Sequence, residues 1–100
     1  MEHFENEGLQ LLVKSILSLK DEAECAEFLE DLMTRKELDD ISQRLLVAKM
    51  LSEQAVYSKI VEQTGASTAT ISRVNKCISY GSGGYKLVLG RMNEEAGENQ

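Results

Sequence analysis

The sequence predicts an all-α protein. Three observations carry this. The hundred residues include no proline, the residue that most strongly interrupts a helix interior. The apolar residues are mostly Leu, Ile, Val and Ala, with three tyrosines, two phenylalanines and no tryptophan, a composition suited to helices. These apolar residues recur at steps of three and four in segment after segment, the period of a helix with one buried face. The length is that of one small domain with a modest core. No internal repeat or long linker divides it, so residues 1–100 are read as a single domain, with 1–6 and 94–100 as flexible ends.

Taken in order, residues 8–19 place Leu9, Leu12, Val13, Ile16, Leu17 and Leu19 at helical spacing. The apolar stripe is wide and needs a partner to cover it. Asp21 is an N-cap for the next helix, with Glu22 and Glu24 in its first turn, where the helix dipole favours acids. That helix runs to about Met33, is expected to meet its predecessor at a bend because the join is very short, and has a solvated acidic outer face. Thr34 and Glu37 fit a capping box for the third and longest helix, which reaches about Glu53. Leu38, Ile41, Leu45, Val47, Ala48 and Leu51 form its expected buried stripe. Residues 54–56 connect to a short helix from about Tyr57 to Thr64, with Ile60 and Val61 inward. Gly65 supplies a positive φ for a tight turn. Ser67 or Thr68 caps the following helix, in which Ile71, Val74 and Ile78 face inward and Ala69, Ser72, Arg73 and Lys76 outward. The cluster Gly81, Ser82, Gly83, Gly84 reads as a helix-ending turn, since it lacks the lysine spacing and preceding strand of a phosphate loop. A last helix is expected from about Gly84 to Met92.

Several function classes are excluded or disfavoured. No apolar run reaches the ~18 residues of a membrane span, and MEHFENEG lacks the basic and apolar regions of a signal peptide. A cytoplasmic protein is expected, and the two cysteines, Cys25 and Cys77, sit in separate segments as ordinary thiols. His3 has no Ser, Cys or carboxylate constellation beside it, and no nucleophile–base pair or metal-spaced cluster occurs, so an enzyme is not expected.

The net charge of −6 hides an uneven distribution. Residues 63–93 contain Arg73, Lys76, Lys86 and Arg91 and no acid, whereas the acids lie before and after. A local basic surface is what phosphate contact requires. Within this stretch, YSKIVEQTGASTATISRVNK has the form of a helix-turn-helix. The second helix of such a unit enters the major groove by its first turn, which must be short-chained to come close. Ser67, Thr68, Ala69 and Thr70 satisfy that need, and with Ser72 they offer hydroxyls and methyls for phosphates and base edges. Arg73 and Lys76 can reach guanine or phosphate, and Ser58 and Lys59 are candidate phosphate contacts at the start of the first helix. Val61 takes an interior position that usually holds alanine and is expected to open the helix crossing slightly.

The segments LMTRKELDDISQRLLVAKML and IVEQTGASTATISRVNKCISYGSGGY resemble the Trp repressor family. The resemblance covers about Leu32 to Leu89 and is strongest to the YerC/YecD-type, Trp-repressor-related branch of Gram-positive bacteria. Thr34, Arg44, Gly65 and the run Ala69 to Arg73 are its specific matches. It implies a six-helix fold, an intertwined homodimer whose two chains build one core, and a transcriptional repressor that binds double-stranded operator DNA. It also implies a corepressor pocket, with Arg44 and Arg73 at the positions of two arginines that sandwich tryptophan, Thr34 nearby and Cys77 on the same side. Val74 stands where tryptophan-binding members carry glycine, and a branched side chain there crowds an indole-sized space. No resident cofactor is therefore expected, and tryptophan is disfavoured against another small effector or none. The alternative function is a helical protein-interaction module with a vestigial helix-turn-helix and the acidic helices as its binding face.

Overall fold

In a computed structural model of the chain, residues 6–98 are described. His3 lies outside them. The order is α1 (Glu7–Ser18), α2 (Glu22–Leu32), α3 (Arg35–Ser52), α4 (Tyr57–Thr64), α5 (Thr68–Tyr80) and α6 (Gly84–Glu98). No strand occurs among the described residues, and the all-α, six-helix expectation holds. Internal contacts divide the chain into two compact units, Met1–Leu38 and Asp39–Gln100, the boundary falling within α3.

In the first unit, local capping sets the helix starts. Asn6 caps α1, its Oδ1 accepting the Gly8 N–H at 2.7 Å, one turn earlier than the apolar pattern begins. Asp21 caps α2 as expected: its Oδ1 accepts the Glu24 N–H at 2.9 Å. Glu24 reciprocates by accepting the Lys20 N–H at 2.9 Å. The capping box at α3 is complete. Thr34 Oγ1 accepts the Glu37 N–H at 3.1 Å, and Glu37 Oε1 accepts the Thr34 N–H at 2.9 Å. Neither α1 nor α2 contains a buried residue. Leu11 and Leu17 are 67% and 78% exposed.

The backbone hydrogen bond from Thr34, and then the bond to its hydroxyl, hold the Glu37 carboxyl below its ordinary pKa. A carboxyl with a lower pKa folded than unfolded stabilises the fold while ionised. This contribution is complete above the ordinary carboxylate range and disappears as pH falls through Glu37's own lowered value. Glu37 is exposed, so the effect is small. Two outcomes are expected in thermal melts. Thr34→Ala should cost about 1 kcal/mol at neutral pH, and any advantage of the parent over Glu37→Gln should vanish in acid.

The second unit has a core. Val47, Ala48, Ile60, Ala66 and Ile71 are at most 2% exposed, and Met50, Val74 and Leu89 complete the cluster. Leu51, Ala55, Ile78 and Tyr85 pack against it. Among the described residues no polar or charged side chain is buried. The expected stripe on α3 is thus only partly correct. Val47 and Ala48 are buried, with Met50 beside them, but Ile41 and Leu45 are each 43% exposed. This helix has two apolar faces, and α4, α5 and α6 cover one.

Two further differences appear at Val61 and at the end of α6. Val61 is 37% exposed, not an inward-facing residue of α4 as the sequence suggests. The small buried residue at the turn is Ala66. The last helix does not stop near Met92 but continues through Glu98, with no proline to end it. Residues 94–98 are therefore helical, and 99–100 lie outside the described residues.

Gly65 ends α4 in the left-handed region, φ 72° and ψ 3°. A Cβ there would meet nothing within 4 Å. Gly65→Ala should therefore cost only the backbone strain, about 1 kcal/mol, measurable by urea denaturation. Gly81 is glycine for another reason: a Cβ would run into the Cys77 carbonyl, to which the Gly81 N–H donates at 2.8 Å.

Candidate nucleic-acid interface

The helix-turn-helix lies wholly in the second unit. Ile71 and Val74 anchor α5 to the core, at 0% and 3% exposure, and Ile78 packs against it. A helix with two buried residues and a third partly buried at this spacing turns its opposite face outward. Ala69, Ser72, Arg73 and Lys76, at i, i+3, i+4 and i+7, are all exposed. Small residues therefore precede two cations along one surface, as expected from the sequence.

The hydroxyls at the start of α5 have distinct tasks. Ser67 is the N-cap, its Oγ accepting the Thr70 N–H at 3.1 Å and donating to Thr70 Oγ1 at 3.1 Å. Thr70 is half-buried, whereas Thr68 and Ala69 are exposed. Ser67 and Thr70 thus shape the first turn, while Thr68, Ala69 and Ser72 present short groups to the outside.

Ser58 and Lys59 are exposed in the first turn of α4. The N-cap there is Val56, which supplies no side-chain acceptor. The first amides of a helix have no intrahelical acceptor and carry the positive end of its dipole, which favours a phosphate. A sequence search for capping side chains passes over this position, because its signal is a missing cap.

The residues assigned to an effector pocket do not all converge. Arg44 and Arg73 line one cavity of about 190 Å³ with Asp40, Gln43, Thr70 and Val74. Cys77 instead lines an apolar cavity of about 600 Å³ with Leu45, Gly81, Tyr85 and Val88, because α5 meets the Gly81 turn and α6 at that level. Thr34 belongs to the first unit, where it caps α3. The arginine-lined cavity is smaller than the roughly 300 Å³ at which pockets for drug-sized ligands begin, and Val74, a core residue, is part of its lining. Among the described residues no group of His, Cys, Asp and Glu could hold a metal ion. No helix there is long and apolar enough to cross a membrane.

Residues 7–93 match the Trp repressor protein family. The chain is 50% identical over 91 residues to the uncharacterized protein YerC of Bacillus subtilis (strain 168), covering 91% of this chain and 88% of the relative. It is similar to the crystal structure of a TrpR-like protein from Eubacterium eligens, with TM-score 0.87 and 46% identity over 93% of this chain and 96% of that one. A Trp-repressor-type protein from Staphylococcus aureus gives TM-score 0.85 and 42% identity over 92% of each chain. With the helix-turn-helix built as described and the match spanning nearly the whole sequence, the chain belongs to the Trp repressor family of non-enzymatic transcription regulators, as a YerC-type member.

Proposed function

We propose that the protein is a sequence-specific, double-stranded DNA-binding repressor that acts in the cytoplasm as a homodimer and occludes a promoter. The observation that carries this reading is the outward face of α5, where Ala69, Ser72, Arg73 and Lys76 are exposed in the one long stretch of the chain without an acid. Short side chains let the helix approach base edges, and the cations neutralise phosphates. Lys59 and the uncapped start of α4 supply backbone contacts that set register.

The dimer is supported by uncovered apolar surface. Leu9, Leu11, Ile16 and Leu17 on α1 and Ile41, Leu45 and Leu46 on α3 are all more than 40% exposed. Uncovered apolar side chains in this number, within each unit, mark an association surface. A second copy doubles the basic surface and brings two reading helices to a pseudo-palindrome, about one helical turn apart.

Fluorescence polarisation with a library of genomic fragments, at low and moderate salt, tests the reading, together with sedimentation equilibrium. Tight binding to a subset of fragments by a dimer supports it. Absence of binding even at low salt favours the protein-interaction alternative.

For the effector, the reading is that tryptophan is not the ligand, because Val74 is part of the core and lines the small cavity beside Arg44 and Arg73. Calorimetry with free tryptophan should give no heat, and the melting temperature should not move. A saturable heat would overturn this part.

A further inference from the structure

We infer that Gln43 and Thr64 form a clamp that holds the turn of the helix-turn-helix in one conformation and so aims α5. The clamp is read from hydrogen bonds. Its effect on DNA recognition rests on the reading proposed above.

The Ala66 residue is 2% exposed, and a buried backbone N–H needs an acceptor. At the end of α4 the Val61 carbonyl takes the Gly65 N–H at 2.9 Å. The Ala66 N–H finds the Thr64 hydroxyl instead, at 3.1 Å. The same hydroxyl donates to the Ile60 carbonyl at 2.7 Å. One oxygen thus joins the body of α4 to the turn, as acceptor on one side and donor on the other. The Thr64 carbonyl is among the last of its helix and has no intrahelical donor. It accepts from Gln43 Nε2 at 3.0 Å, across 21 residues of sequence. All three bonds are partly buried, where competition from water is weak.

The turn is only Gly65, Ala66 and Ser67, and Ser67 is already the cap of α5. Movement at Thr64 therefore passes directly to the reading residues. A turn that samples several directions lowers the fraction of protein ready for a specific site, and apparent affinity falls by that fraction. Nonspecific attraction to phosphates needs no such register and is unaffected. Loss of specific affinity alone, with the salt slope retained, separates a positioning role from general destabilisation.

The test compares Gln43→Met, which keeps size but lacks a donor, with Thr64→Val and the conservative Thr64→Ser in the full chain. Amide hydrogen exchange is followed by NMR at Ala66 in the turn and at Val47 and Ala48 in the core. Binding is measured to the best genomic fragment and to a random duplex of equal length. In Gln43→Met and Thr64→Val, exchange at Ala66 should accelerate about tenfold with the core unchanged. Specific affinity should fall about tenfold and random-duplex affinity should not move. Thr64→Ser should behave as the parent. Unchanged exchange at Ala66, equal acceleration in turn and core, or a parallel loss on both duplexes overturns the clamp. If the parent protein prefers no fragment, the DNA reading fails, and the exchange comparison alone decides the clamp.

Discussion

Replacing Arg73 with alanine is expected to cut affinity for the preferred DNA fragment by tenfold or more while leaving the fold intact. The side chain is exposed on α5, so its removal should change stability by no more than about 0.5 kcal/mol. Its contribution to binding is expected to be larger, since the proposed homodimer would present it twice. If Arg73 neutralises a phosphate in each half-site, the slope of log K against log salt should fall by about two. If instead it reads a guanine edge, the slope should hold. Discrimination at one base pair per half-site should then weaken by about 1–3 kcal/mol. Polarisation titrations at four salt concentrations distinguish these outcomes. Affinity unchanged at every salt would count decisively against α5 as the reading helix.

The second large effect is on stability. Ile71 is fully buried, on the side of α5 opposite the exposed Arg73, within the cluster that includes Ile60 and Val47. Truncation to alanine removes about three methylene-sized groups from a packed site, and the expected cost is about 3 kcal/mol. Domains of this kind are stable by only about 5–15 kcal/mol, so the loss is a large fraction of the total. Urea denaturation should show a lower midpoint with an unchanged slope. An effect below about 1 kcal/mol would mean that α5 is not held by this core. Ile71→Ala and Arg73→Ala are two residues apart, yet one should act on folding and the other on binding. That contrast is the most direct check on which way the helix faces.

Much of the local structure is written in short-range chemistry. Asp21, Thr34 and Gly65 occupy the cap and turn positions expected of them, and the choice between Ser67 and Thr68 is resolved for Ser67. Each depends on groups three or four residues away, which the sequence displays. The outward face of α5 was legible for the same reason, since Ile71, Val74 and Ile78 at helical spacing fix the opposite side. The register of α3 was less legible. Its apolar residues cover two faces, and periodicity cannot say which face meets α4 and α5. Ala66 gave no signal, because a single alanine in a turn belongs to no periodic pattern that would mark it as buried. The bond from Gln43 to Thr64 was also hidden, since a glutamine in a helix reads as an exposed polar residue until its partner is in place.

The pocket residues illustrate the same limit. Arg44 and Arg73 do line one cavity, but Cys77, one turn beyond Arg73, lines another. Spacing along a helix identifies a face. It does not identify which neighbouring helix closes each part of that face.

The sequence by itself therefore determined the all-α class, the six helices, nearly all their starts, and the small-then-basic surface of α5. These follow from backbone hydrogen bonding and periodicity, which act over a few residues. Only the tertiary structure decided that Val47, Ala48 and Met50 form the covered face of α3, that Ala66 is the buried small residue of the turn, and that Gln43 reaches Thr64. Those features depend on groups brought together from distant parts of the chain, and packing rather than local propensity selects them.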